Sequence, residues 1–268
     1  MDMDDILFQM ENDMTQHNSE PQARIPVDRV IDTLDRHFVR NDLAGAGRLL
    51  SYWHREAETL GDREGLLTVL NEEMGYYRRT GDCAAALAAV EAGLSLIAQL
   101  GREDMLSSAT VYLNAATTLK AFGKAGDALP LYERTERIYE KKLSPTDALF
   151  GGLYNNRALA YADLGRYADA EASYRAALCV MERVPHGEPE VAVTYVNMAH
   201  LFEAEGRPAA DIADCMERAA EKLLSPATRH DANFAFVASK CYPSFAHFGY
   251  AETAERLRKL SERIYAGT

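Results

Sequence analysis

The feature that most limits what this chain can fold into is a helix-ending residue that returns every forty or so positions. Gly81, Gly123, Gly165, Gly206 and Gly249 stand 42, 42, 41 and 43 residues apart, and Asn41 lies 40 before the first of them. Glycine and asparagine are the residues that tolerate the left-handed backbone found just past a helix end. Six units of one kind are therefore expected, and a fixed period of this length is the mark of a repeat array.

Each mark carries the same companions. Five residues later come Ala46, Ala86, Ala128, Ala170 and Ala254, with Asp211 as the exception and Ala210 one place early. Four residues before stand His37, Tyr77, Leu119, Tyr161, Phe202 and Phe245, and eleven before stand Val30, Leu70, Tyr112, Tyr154, Tyr195 and Ala238. A small residue at a fixed helix position lets two helices approach, and large apolar groups fill the space beside the contact. Apolar positions recur at helical spacing with few β-branched runs, so each unit reads as helix, tight turn, helix. Pro145, Pro185 and Pro226 fall where second helices should stop, while Pro208 and Pro130 suit the start of one. Pro243 falls inside a predicted first helix, where a kink is expected.

The segment LYNNRALAYADLGRYADAEASYRAAL, from Leu153 to Leu178, resembles a tetratricopeptide repeat. The long period with paired asparagines is similar to the repeats of kinesin light chains and of bacterial peptide-sensing regulators. The resemblance covers residues 27–268 and implies an all-α fold: a right-handed superhelical α-solenoid of about six helix-turn-helix repeats with a concave inner face. It also implies a non-enzymatic scaffold or adaptor of bacterial type that binds a protein or peptide segment in that groove.

Charge narrows the partners. Lys and Arg number 29 against 41 Asp and Glu, for a formal charge of -12, which repels phosphate backbones, so nucleic acid is not an expected partner. No run approaches the roughly 20 apolar residues a membrane span needs, and the nearest is AAALAAV at 84–90; no membrane association is expected. The N-terminus bears acids where a secretory signal bears cations, which predicts a cytoplasmic protein. Cys83, Cys179, Cys215 and Cys241 form no C-x-x-C pair, so they read as small buried apolar residues and not as a zinc site or a disulfide framework.

Residues 1–26 form an acidic leader with six acids against one base, and Ile6, Leu7, Phe8, Met10 and Met14 give it an apolar side. A disordered segment, a helix capping the array and a tethered occupant of the groove all fit that pattern.

The functional candidates are asparagines. Nine residues before the marks stand Glu72, Asn114, Asn156, Asn197 and Lys240, and the resemblance places this position on the inner face. An amide offers donors and an acceptor, matching the N–H and C=O of a peptide backbone whatever its sequence. The competing expectation is that these amides bond neighbouring helices and hold the repeats in register; Asn71 and Asn155, one place earlier, make a weaker case for ligand contact. Arg78, Arg79, Lys120 and His200 share the predicted inner face by helical spacing. Arg78 and Lys120 are equivalent in adjacent repeats, so a basic patch selecting an acidic peptide or a C-terminal carboxylate is expected; ordinary solvated charges are the alternative. The lysine, asparagine and arginine clamp of chaperone-tail binders finds no match, because Glu72 and Gly75 fall where its members would stand.

No catalytic residue, cofactor or metal site is expected. GKAGDA at 123–128 is an inter-helix turn without the spacing of a phosphate loop, and AGAGRLL at 44–50 follows no strand. His200 and Glu203 lie one turn apart but lack a second histidine, so they read as a solvated pair. HGEPE at 186–190 reads as a loop between repeats. Besides the scaffold reading, a peptide-signal sensor acting through a partner protein and self-association through array ends remain open.

Overall fold

The computed structural model describes residues 23–267; the ideas about the leader therefore lie outside the described residues, apart from its last four positions. Among the described residues there are twelve α-helices and no strand. They fall into two compact units that divide between Glu103 and Asp104. The first holds α1 (Val27–Val39), α2 (Leu43–Leu60), α3 (Arg63–Thr80) and α4 (Cys83–Gln99). The second holds α5 (Leu106–Ala121), α6 (Ala125–Lys142), α7 (Ala148–Asp163), α8 (Tyr167–Met181), α9 (Glu188–Glu205), α10 (Ala209–Leu224), α11 (Ala232–His247) and α12 (Ala251–Gly267).

All six marks adopt the left-handed conformation, from φ 53° at Asn41 to φ 87° at Gly249. The small residues behave as their spacing requires: Ala46, Ala86, Ala128 and Ala170 have no exposed surface. The unit that departs does so for a visible reason. Ala210 and Asp211 are exposed, and α10 buries Cys215, Met216, Ala219 and Leu223 instead, starting one turn further on.

The first unit also has a shorter period that the forty-residue reading missed. Gly61 and Gly101 are left-handed as well, so Asn41, Gly61, Gly81 and Gly101 recur every 20 residues. After the first three comes an aspartate that caps the next helix: Asp42 accepts from Gly45 N, Asp62 from Gly65 N and Asp82 from Ala85 N. Every connection in this unit up to α4 is thus the same tight turn, where side-chain oxygens satisfy a helix's unpaired N–H groups. Asp62 does more, because its second oxygen accepts the Ile25 backbone N–H at 2.9 Å. Ile25 is buried with Leu34, Leu50 and Val69, so the last part of the leader belongs to the first core.

In the second unit the hairpins α5/α6, α7/α8, α9/α10 and α11/α12 each pack tightly, and α5 meets α7, α7 meets α9, and α9 meets α11. The first helices therefore lie side by side in one layer. Here the connections between repeats are longer and contain Pro145, Pro185 and Pro226 in the places expected. Pro189 falls inside the first turn of α9, so the loop before it is shorter than expected. Helix α11 runs unbroken through Pro243, so the proline expected to kink it does not interrupt it.

One expectation about burial and one about apolar length need correction. Only Cys215 and Cys241 are buried, whereas Cys83 and Cys179 are exposed. Burial pushes the Cys215 thiol up to about 11 and the Cys241 thiol up to about 12, which leaves those two unreactive at neutral pH. The segment Cys83–Leu100 is long and apolar enough to cross a membrane by length and composition, with mean hydropathy 1.7. It nevertheless packs on α3, and Glu91 stands exposed at its middle, where a bilayer interior would penalise a charge.

Candidate functional site

The layer of first helices in the second unit brings Asn114, Asn156 and Asn197 onto α5, α7 and α9 at equivalent positions, each half-buried. Two of these amides, Asn156 and Asn197, do different things. Asn156 Nδ2 donates to Gly152 O one turn back on its own helix, at 2.9 Å. Asn197 Nδ2 donates across to Asn155 Oδ1 at 3.2 Å, so this amide ties α9 to α7. The residue that sequence spacing ranked lower, Asn155, is the partner that the register bond uses. Part of the ladder thus serves the fold. An amide has two N–H donors and an acceptor oxygen, so one such bond leaves capacity for a ligand.

Asn155 also borders a cavity of about 200 Å³ that spans α7, α9 and α11. Gly152, Asn155, Val193, Thr194, Asn233 and Phe236 line it. Gly152, Val193 and Phe236 each stand thirteen residues before their mark, so one repeat position supplies the opening, an apolar wall and an aromatic side chain that is 55% exposed. A Cβ on Gly152 would meet nothing within 4 Å. The helix therefore carries a glycine there without any packing need, although glycine weakens a helix interior. Asn233 is held toward the cavity by donating from Nδ2 to Glu190 Oε1 at 2.9 Å.

The basic residues are divided. Lys120 lies on α5 with its ammonium 3.4 Å from the Asp163 carboxylate, so its charge is partly matched. Arg78 and Arg79 end α3 in the first unit, where a cation suits the helix dipole, and the Arg79 guanidinium lies 5.0 Å over the Phe38 ring. In that unit the position of the asparagines is occupied by Glu72, which accepts from Asn71 Nδ2 at 3.1 Å. Burial, followed by the effect of nearby Asp35 and against the Asn71 hydrogen bond, holds the Glu72 carboxyl above its usual value.

The first unit also encloses titratable groups. His54 Nδ1 lies 2.9 Å from Glu73 Oε1 beside a cavity of about 360 Å³. Glu73 is 5% exposed, and burial holds its carboxyl above the ordinary value although His54 pulls the other way. Ser51 lines the same cavity, but a serine nucleophile needs the remaining ring nitrogen of the histidine, and His54 Nε2 faces Glu58 at 3.7 Å. The pair is a helix-to-helix tie between α2 and α3.

His200 occupies the C-terminal half of α9. Its Nε2 lies 2.8 Å from Ser244 Oγ on α11, and its Nδ1 lies 3.6 Å from Glu203 Oε2. Glu203 is also bonded by His247 Nε2, at 2.8 Å to Oε1. The two imidazoles stack with centroids 5.6 Å apart. Burial lowers the His200 imidazole, and the His247 hydrogen bond lowers the Glu203 carboxyl. The second histidine that the sequence lacked near His200 comes from the next repeat.

A family model described as tetratricopeptide repeat matches residues 150–210, which takes in α7, α8, α9 and the start of α10. That stretch carries tetratricopeptide-repeat sequence. Among solved structures it is similar to the kinesin-light-chain TPR-like repeats of Podosopora anserina, at 16% identity and a TM-score of 0.54 over 75% of this chain and 95% of that one. It is also similar to BtubC (BKLC) from P. vanneervenii, at 20% identity and a TM-score of 0.54 over 85% of this chain and 91% of that one. These likenesses show an all-α repeat solenoid fold. No curated protein sequence matches the chain.

Reading by the nine-residue offset singled out Asn114, Asn156 and Asn197 and passed over Gly152, Val193 and Phe236, which line the cavity. Their common offset of thirteen was present in the sequence, yet glycine, valine and phenylalanine share no chemistry that would mark them. Asn233 and His247 were invisible for another reason, since their partners lie a whole repeat away, and Asn155 was legible only as a weaker candidate.

Proposed function

We propose that the chain is a cytoplasmic protein-interaction scaffold whose second unit takes an extended peptide or protein segment across the layer of first helices. The observation that carries this reading is the cavity across α7, α9 and α11, lined by an open glycine, an exposed phenylalanine and the amides of Asn155 and Asn233. Clefts that enclose small molecules run to about 300–1,000 Å³, and the 200 Å³ here is nearer the size of one or two side chains. In this reading a ligand side chain packs on Phe236 and Val193, and its backbone passes over Gly152. Asn156 and Asn197 then bond the ligand's main chain with the capacity their internal bonds leave. Helices pack about 10 Å apart and an extended chain advances about 3.3 Å per residue, so successive first helices meet roughly every third ligand residue. Lys120, half matched by Asp163, adds a preference for acid on the ligand.

The test is capture of partners from cell lysate by wild type and by the Asn114→Ala, Asn156→Ala, Asn197→Ala triple variant, compared at equal folded fraction. Loss of about 1 kcal/mol per ordinary hydrogen bond predicts that a partner held by wild type is lost by the variant. Identical captures would assign all three amides to the fold and reject the groove.

A further inference from the structure

His200, Glu203 and His247 bring three donor atoms within 4.8 Å of one another. Two lie three residues apart on α9 and the third is the last residue of α11, and these helices pack together. The scaffold that holds the donors is therefore rigid on both sides. A zinc ion bound tetrahedrally at about 2.0–2.2 Å spaces its ligand atoms roughly 3.3 Å apart. His247 Nε2 lies 3.1 Å and His200 Nδ1 lies 3.6 Å from the same oxygen, Glu203 Oε2, values that bracket that spacing. Small rotations about the side-chain torsions are enough to seat an ion.

The surroundings fit as well. The His200 nitrogen facing away from the cluster, Nε2, lies 2.8 Å from Ser244 Oγ. Donation there fixes the tautomer that leaves the Nδ1 lone pair directed at the cluster, which is the usual outer arrangement around a metal-bound histidine. Phe248 packs beside both rings, at 4.8 Å from His200 and 4.7 Å from His247, closing one side. The other side is open, with the three side chains 42%, 46% and 52% exposed, so an ion has a path in and water can complete the coordination.

We propose that His200, Glu203 and His247 form a binding site for one borderline transition-metal dication, zinc being the reference case, which pins the last two repeats together. Two imidazoles and one carboxylate select this class over magnesium and calcium, which prefer sites built from oxygen alone. Binding replaces the hydrogen bond between His247 and Glu203. The proton on His247 Nε2 moves to Nδ1 if the ring is neutral, or to solvent if it is charged, and the freed lone pair takes the metal. The site stands apart from the cavity at Gly152, so neither reading depends on the other.

The experiment is a titration of the untagged full chain with Co²⁺ followed by Zn²⁺, read by visible absorption and calorimetry. The expected result is one Co²⁺ per chain with intense tetrahedral bands, displaced by one Zn²⁺ and not by millimolar Mg²⁺. His247→Gln keeps a hydrogen-bond donor toward Glu203 and removes the imidazole, and Glu203→Gln removes the anion; each should weaken binding at least tenfold. His230→Ala, on an exposed histidine elsewhere, should bind as wild type does. Melting without metal checks that each variant is folded, and added Zn²⁺ should raise the melting temperature of wild type and not of His247→Gln. Absence of stoichiometric Co²⁺, or equal weakening by His230→Ala, would overturn the site.

Discussion

Gly151 and Gly152 are adjacent in α7, and the structure assigns them opposite responses to the same added methyl group. In a helix interior alanine is favoured over glycine by about 0.5–1 kcal/mol, because glycine gives up more backbone freedom on folding. At Gly152 the new Cβ meets nothing within 4 Å, so Gly152→Ala should gain that full amount. For a unit of this size, 1 kcal/mol moves the midpoint by about 2–4 °C, which predicts a rise of about 1–4 °C. At Gly151 the Cβ would stand 2.2 Å from Met181 Sδ and 2.6 Å from its Cγ. Met181 is 6% exposed, so it must repack inside the core. Overpacking costs about 1–3 kcal/mol, which exceeds the helix gain and predicts a net loss for Gly151→Ala. Calorimetry on the two variants and wild type is the assay, with lysate capture alongside. Gly152→Ala should melt higher yet hold less partner, since its methyl enters the cavity. A lower midpoint for Gly152→Ala would show that the glycine is there for packing and would remove the main support for the groove.

Two further outcomes are expected in the first unit. Because burial holds the Glu73 carboxyl above its usual value near 4.5, the folded state binds that proton more tightly than the unfolded chain. Its favourable contribution is complete below the unfolded value and is lost as pH rises through the folded one. Glu73→Gln, always neutral, should therefore melt higher than wild type at pH 7 and match it near pH 4; a variant that melts lower at pH 7 would show that attraction to His54 outweighs burial. Asp62→Ala removes a helix cap and strands the buried Ile25 N–H, costing about 2–4 kcal/mol in denaturant unfolding. Asp82→Ala, exposed and capping only Ala85, should lose clearly less, and equal losses would mean the Ile25 bond contributes nothing.

By itself the sequence determined the hairpins, because the marks at Asn41, Gly81, Gly123, Gly165, Gly206 and Gly249 act through local backbone conformation and need no distant partner. The small residue five places on was legible for a related reason: a requirement imposed by every hairpin leaves a period. It failed at Asp211, where α10 found its contact one turn later. Only the tertiary structure decided what the asparagines do, since Asn156 bonds its own helix while Asn197 bonds Asn155, and equal sequence offsets gave unequal surroundings. Packing of α9 on α11 likewise turned His200 and Glu203 from a solvated pair into three converging donors with His247. Such sites are set by which side chains of separate repeats face each other, and that depends on helix packing and rotation, which leave no spacing in the chain to read.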